Sequence, residues 1–582
     1  MTGEIPLGTY LFQRLHDMGA QHIFGVPGDF NLKLLDHVYN VKGLEWIGTC
    51  NELNGAYAAD GYARESGVPG VMVTTYGVGE LSALNGVSGA SAENVPLIHI
   101  VGQSPRFAQD EQILLHHSPA PHGLRPNDHS AYEKASAPLC CTMEKLWDPR
   151  KAPEQIDDLI SQVLRNKEPA TLFVPIDIVG MPVSSANLGK PFNTNVSVHP
   201  DTDRVVDAIV DAFQQSKRPV VLNDAFAARF NLKKETHAIL DRTGAYGYVT
   251  FLGRSSIDET HPHFGGVYNG HVSFAGIPKA VEEDSDFILN IGAHVSDFNS
   301  GAMSRDISDD KLIIVHAFYA RVFGKNYDGV HFKHVLERVL DRLPLKPQAS
   351  VDQSKPKTHF PEPIYSGPIT QLGLPHVITH LLRPEDTLIA ETGTYQYGSR
   401  ATKLPADALY FAQYYYSSIG FALPAAFGSA LGKKLTSKQN KRIRLVEGDG
   451  SSMMTIQEMA SMVRFKLPIT IFLINNTGYS IERCIWGPEQ GYNDIPPNWQ
   501  WTKLLEVFGG QKEDIENYKV ETFEEFWELA KNEKFVNSNK TQLVEVIMDK
   551  YDYPLTLRES TVVGAGWSTY KVGEWEEKTG LK

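Results

Sequence analysis

Two short blocks in the last third of the chain carry residue types that could hold a phosphorylated ligand. The first is Glu447-Gly448-Asp449-Gly450-Ser451 and the second Asn475-Asn476-Thr477-Gly478. Glycine lets a backbone approach a phosphate closely, and a helix N-terminus adds free N–H groups and the positive end of a dipole. Asp449, the Asn476 side-chain oxygen and the Gly478 carbonyl offer three hard oxygen ligands. Such a set suits a small octahedral Mg²⁺, leaving places for two diphosphate oxygens and a water. GDG alone is common in ordinary βα turns; GDGS followed by NNxG at this interval is far more specific.

Other candidate groups are weaker when taken singly. Glu52 opens a predicted helix, where a carboxylate can simply cap, worth about 0.3–1 kcal/mol. Asp29 follows Pro27-Gly28, which is ordinary turn chemistry. His116 and His117 are neighbours in a loop, a setting in which most such pairs are solvated, and Glu482 could be no more than a first-turn helix acid. Gly77-Val78-Gly79 lacks the following Gly-x-x-Gly spacing of a dinucleotide fingerprint, so no NAD site is expected.

The elements that must position these groups alternate strand and helix. Arg442 to Val446 and Ile469 to Ile474 read as buried strands, with helical spacing from Met453 to Phe465 between them, so both glycine blocks fall at carboxyl ends of parallel strands. Earlier in the chain, Leu7, Leu11, Leu15 and Met18 form a helical stripe; His22 to Val26 runs as a strand into Pro27-Gly28-Asp29. Leu44 to Cys50 is a strand and Asn51 opens a helix through Tyr62, with further strands at Val71–Thr75, Leu97–Val101 and Thr171–Pro175. The pattern repeats from the helix at Asp203–Phe213 through strands at Val220–Leu222, Phe287–Ile291 and Leu312–Val315. Pro347, Pro356, Pro361 and Pro363 then interrupt any helix or central strand. The expected organisation is α/β: three doubly wound parallel-sheet domains, at 1–185, 197–343 and 369–555, with a linker at 344–368 and a tail at 556–582.

Composition narrows the class. At 582 residues the chain is too long for one core, and 42% apolar with 21% charged residues is globular. A net charge of −14 argues against a nucleic-acid partner. Cys50, Cys140, Cys141 and Cys484 show no CxxC pairing, which fits a reducing compartment. No leader pattern opens the chain and no apolar run approaches the roughly 18 residues of a membrane span, so a cytoplasmic protein without a membrane partner is expected.

The chain as a whole resembles the thiamine diphosphate-dependent 2-oxo acid decarboxylases. The resemblance rests on the GDGS and NNxG blocks, on Gly25-Val26-Pro27-Gly28-Asp29-Phe30-Asn31-Leu32, on Cys50-Asn51-Glu52-Leu53-Asn54, on Tyr57 to Arg64, and on Gly77 to Gly86. It implies a first domain that grips the cofactor's pyrimidine, a third that grips its diphosphate through Mg²⁺ held by Asp449, Asn476 and Gly478, and a homodimer or homotetramer with each cofactor between subunits. It implies that Glu52 hydrogen-bonds the aminopyrimidine and promotes loss of the thiazolium C2 proton, the cofactor supplying the electron sink. Glu482 would stand beside the substrate carboxylate, and Asp29 with His116 and His117 would transfer the protons that release aldehyde. Ile419 would be the wedge that bends the cofactor into a V. Thr392, Gly393, Thr394, Ser417, Ser418, Gly448, Gly450, Ser451, Thr477, Tyr479, Ser480 and Ile481 would complete the cofactor site.

The sequence also departs from the pyruvate-specific pattern. Ser417 replaces a glycine, Tyr414-Tyr415-Tyr416 and Thr394-Tyr395-Gln396-Tyr397 replace smaller or aliphatic runs, Phe226 stands where some members have a regulatory cysteine, and the segment Ser118-Pro119-Ala120-Pro121-His122-Gly123 is longer. Glu391-Thr392-Gly393 before aromatic-Gln-aromatic, Glu447 before GDG, and Gly487-Pro488 to Tyr492-Asn493-Asp494 with Trp501-Thr502-Lys503-Leu504 are similar instead to fungal broad-substrate decarboxylases. The expected substrate is therefore a phenylpyruvate-type 2-oxo acid, with Tyr395, Gln396, Tyr397 and Ile481 as candidate lining residues. Pyruvate is the alternative, and a non-catalytic regulatory paralogue the third reading.

Overall fold

A computed structural model describes residues 3–121, 123–345, 351, 360–436, 441–496 and 499–579, apart from the side chains at 567–570, 572–573, 575–576 and 579. His122, Pro347, Pro356 and the side chains of Trp567 and Trp575 lie outside the described residues.

Near-continuous apolar runs such as Val71-Met72-Val73 suit strands covered on both faces, and the first six-stranded sheet is built of them. Its order is Glu45–Gly48, His22–Gly25, Gly70–Thr75, Leu97–Gln103, Ala170–Pro175 and Thr142–Lys145, every pairing parallel. The sheet that holds the glycine blocks is also six-stranded and all parallel: Leu409–Phe411, Thr387–Ala390, Ile443–Gly448, Ile469–Asn475, Thr541–Ile547 and Ile515–Val520. Between them in sequence, a seven-stranded sheet runs Phe264–Val267, Tyr246–Val249, Pro219–Asn223, Phe287–Ile291 and Leu312–Val315 in parallel. It adds an antiparallel edge at Tyr319–Val322 and Lys325–Asp328 that periodicity did not reveal. Phe226 is buried in this central unit, its ring centroid 4.0 Å from that of His316.

The first and last sheets meet through two crossing helices, Glu52–Ser66 and Ala422–Lys433. Gly61 lies against the Ala425 carbonyl and Gly428 against the Ala58 carbonyl, so a methyl at either glycine would overlap backbone. Polar ties flank the crossing. Lys433 Nζ stands 2.9 Å from Glu65, and Asn54 donates to buried Glu458 at 2.8 Å.

Two local differences from the periodicity have plain causes. The helix expected from Met453 begins at Asp449 and is interrupted: Asp449–Thr455, a turn at Ile456–Glu458, then Met459–Arg464. There Thr455 Oγ1 donates to the Gly420 carbonyl at 2.7 Å and Glu458 turns toward Asn54. The tail forms one long helix, Leu555–Thr579, whose Thr556 hydroxyl donates to the Tyr397 carbonyl at 2.8 Å.

Candidate active site

Asp449 sits where strand Ile443–Gly448 hands over to its helix, and only 1% of it is exposed. Its carboxylate accepts from the N–H of Gly450 at 2.7 Å, Asn476 at 3.1 Å and Gly478 at 3.2 Å, which join the two blocks. Burial pushes its pKa up to about 6, against the pull of those N–H groups. The Asn476 side-chain oxygen lies 3.2 Å from Asp449 Oδ1 and 3.0 Å from the Gly478 carbonyl oxygen. Three oxygens facing one another with no proton between them form a donor set for a cation. Turning the amide over lets its NH₂ donate to both and its oxygen accept from Ser480 Oγ at 2.9 Å, so the amide orientation decides whether this side chain offers an oxygen to a cation. The residues present thus fit a small hard ion.

The turn that carries Asn476 is strained and clamped. Thr477 has φ of 60° and Gly478 132°, the latter against the Asn493 carbonyl. Arg483 is fully buried beneath, donating to the carbonyls of Asn476 at 3.3 Å, Thr477 at 2.9 Å and Asn493 at 3.2 Å, and pairing with Asp494 at 2.7 Å. Motif reading missed Arg483, because a side chain that collects carbonyls leaves no spacing pattern. Gly450 leaves room for the Tyr479 ring, and Ser480 donates to the Lys550 carbonyl.

Thr392-Gly393-Thr394 is held alongside. Ser451 Oγ donates to the Thr392 carbonyl at 3.1 Å and Gln371 to Thr394 Oγ1 at 2.7 Å. Glu391 accepts from the N–H of Thr392 and of Ala422, both at 2.7 Å, so one carboxylate braces this turn and the start of the crossing helix. Burial pushes the carboxyls of Glu391 and its neighbour Glu447 upward. Burial thus biases both carboxyls toward their neutral forms. Between these braces Ser417 (φ 55°) and Gly420 (φ 87°) present Ile419, 37% exposed, an apolar side chain left uncovered by the chain itself. Ser418 Oγ lies 2.6 Å from Tyr57 Oη, a link to the first unit.

Of the expected lining residues, two are buried. Tyr395 is core, its hydroxyl 2.7 Å from Thr402 Oγ1, and Gln396 is fully buried. Successive helical residues project about 100° apart, and Thr394–Gly398 is a helical turn, which leaves Tyr397 as the half-buried ring, its hydroxyl pKa raised by burial and then by the charges of Asp297 and Glu482. Glu482 is exposed on the short helix Ser480–Ile485, Ile481 beside it is half-buried, and Ile485 and Trp486 one turn on are both exposed.

The first unit supplies a second set. Asn51 caps the helix Glu52–Ser66, accepting from the Asn54 N–H at 2.8 Å. The Glu52 carboxylate lies where Gly79 leaves space: a Cβ there would stand 2.9 Å from Oε1. His116 Nε2 lies 2.5 Å from Asp29 Oδ2, and His117 Nε2 3.8 Å from Asp29 Oδ1. Among the described residues no hydrogen bond joins Glu52 to the Thr392–Thr394 turn, or the Asp29 cluster to Glu482.

Family models for thiamine pyrophosphate enzymes match all three units: the N-terminal TPP binding domain over residues 5–124, the central domain over 206–343, and the C-terminal TPP binding domain over 391–546. Pyruvate decarboxylase isozyme 3 of Saccharomyces cerevisiae is 40% identical over 559 residues, covering 95% of this chain and 97% of that protein. Pyruvate decarboxylase of Candida glabrata is 38% identical, covering 97% and 98%. The solved structure of the Rhodococcus jostii RHA1 thiamine diphosphate-dependent 4-hydroxybenzoylformate decarboxylase shares the fold, with a TM-score of 0.74 at 19% identity over 94% of this chain and 99% of that one. The chain belongs to the thiamine diphosphate-dependent 2-oxo acid decarboxylase family. Among the described residues no helix is long and apolar enough to cross a membrane.

Proposed function

We propose that the protein performs non-oxidative decarboxylation of a 2-oxo acid to an aldehyde and CO₂, with thiamine diphosphate and Mg²⁺ bound at the Asp449 turn. The observation that carries this reading is the buried Asp449 carboxylate tied to the Asn476 and Gly478 N–H groups, which brings the three ligand residues together at the carboxyl ends of two adjacent strands. When bound, thiamine diphosphate supplies the electron sink for the carbon–carbon bond that breaks. The chain's own residues do the rest. Asp449, Asn476 and Gly478 would hold the metal and Ile419 would support the cofactor. Glu52 would accept a hydrogen bond from it, Glu482 would stand at the substrate carboxylate, and Asp29, His116 and His117 would move protons as product leaves. The site is read as completed by a second copy, as in the family the chain resembles.

The substrate reading is a phenylpyruvate-type acid. Tyr395, which could have narrowed the site, is packed into the core, while Ile485 and Trp486 present exposed apolar surface on the turn after Glu482. Burying a benzyl group in place of a methyl stabilises the complex by roughly 2–3 kcal/mol. In a competition assay kcat/KM for phenylpyruvate should exceed that for pyruvate at least tenfold, about 1.4 kcal/mol. Parity or a pyruvate preference selects the second reading, pyruvate decarboxylation, which the names of the relatives favour.

A further inference from the structure

Asp29, His116 and His117 come from two loops, and the backbone goes out of its way to converge them. Side chains of neighbouring residues in extended chain point to opposite sides. His117 instead adopts φ of 71°, a left-handed conformation that costs of order 1–3 kcal/mol for a residue with a Cβ and is kept only where surroundings enforce it. Two tyrosines enforce it: Tyr76 Oη donates to the His116 carbonyl at 2.6 Å and Tyr132 Oη to the His117 carbonyl at 3.0 Å. Phe30 backs both imidazoles, with ring centroids at 5.0 and 6.2 Å. One nitrogen of each imidazole and one carboxylate oxygen of Asp29 lie within 4.8 Å of one another. At 60% and 53% exposed, His116 and Asp29 are open to a solute in this chain.

We propose that this cluster binds a zinc-class divalent cation and that occupancy there stops turnover. Two imidazoles and a carboxylate are the three-ligand set of an open tetrahedral zinc site, with Zn–N about 2.0–2.1 Å and Zn–O about 2.0–2.2 Å. Ligand atoms at those distances stand about 3.3 Å apart. The 2.5 Å His116–Asp29 contact opens toward that value and the 3.8 Å His117–Asp29 separation closes toward it, both by less than an ångström. The metal takes the place of the hydrogen bond between His116 and Asp29. Mg²⁺ does not compete, because it takes oxygen ligands in octahedral geometry, as the Asp449 turn offers. The chain thus carries two cation sites of opposite character. The inhibition rests on the proton-transfer role assigned above: a nitrogen bonded to metal neither gives nor accepts a proton.

The test uses the full-length protein saturated with Mg²⁺ and thiamine diphosphate, with Co²⁺ as a spectroscopic probe and Zn²⁺ as inhibitor. Four-coordinate Co²⁺ absorbs intensely in the visible, whereas six-coordinate Co²⁺ on oxygen ligands is weak. One intense-band Co²⁺ per chain is expected, absent from His116→Gln and from His117→Asn. Both variants should still retain thiamine diphosphate through gel filtration, which checks their fold. Zn²⁺ should lower turnover at least tenfold, release neither Mg²⁺ nor cofactor, and resist relief by excess Mg²⁺. No intense band, or one that survives His116→Gln, overturns the metal site and leaves the proton-transfer role standing. A His116-dependent band without loss of turnover overturns the inhibition and removes the cluster from the reaction. Relief by Mg²⁺ overturns it by placing the zinc at Asp449.

Discussion

The two halves of the candidate site are built to different standards of completeness. On the diphosphate side Asp449 is buried, satisfied by three backbone N–H groups, and underpinned by an arginine that gathers the turn's carbonyls. On the proton side Asp29 and His116 lie open, held by the strained His117 backbone and two tyrosine hydroxyls. Holding a metal needs fixed oxygens that do not reorganise. Proton transfer needs groups that close around a substrate and exclude water afterwards. The first half is finished within one chain; the second lies open in it.

The largest effect that would break this contrast is at the metal. Asp449→Ala should abolish retention of thiamine diphosphate through gel filtration while far-UV circular dichroism stays unchanged; stoichiometric cofactor after that change would remove the metal site. Next in size is Glu52→Gln. It should bind cofactor yet exchange the C2 proton about 100-fold more slowly, read by NMR after acid quench. Because the halves would come from different copies, co-refolding that variant with Asp449→Ala chains should recover activity neither has alone. No recovery would place both halves in one chain.

A smaller effect is expected beneath the turn. Arg483→Met keeps the ligands and loses their support, so Mg²⁺ affinity should fall about 10–100-fold, the usual cost of removing outer partners of a metal ligand. Titrating Mg²⁺ against cofactor binding checks it. The smallest concerns a buried acid near the proton side. Burial pushes the Glu80 carboxyl up to about 7, against hydrogen bonds from the Gly77 N–H and Ser136. The folded state therefore holds a proton that the unfolded chain releases, and stability falls as pH rises from about 4.5 to about 7. Glu80→Gln should flatten that fall in thermal melts; an equal slope in both proteins would show that Glu80 titrates normally.

How much of this was legible depended on what kind of signal each residue leaves. The strands and the Asp449 turn were readable because buried parallel strands are continuous apolar runs and their ends carry contiguous glycine blocks. The antiparallel edge Tyr319–Val322 was not, since its half-buried residues break the run. Tyr395 was misread as lining because residue type says nothing of direction, and one helical turn sends it to the core. Arg483 and Glu391 act on backbone groups, which every residue has, so no sequence partner announces them.

The glycines at the helix crossing carry a further consequence, for inheritance rather than catalysis. Gly61 needs the particular carbonyl of Ala425, and Gly428 that of Ala58, so each half's surface is a mould of the other. Recombination that swaps one cofactor-binding half for a cousin's would bring together casts from different moulds. Viable hybrids should keep the two outer units as a matched pair.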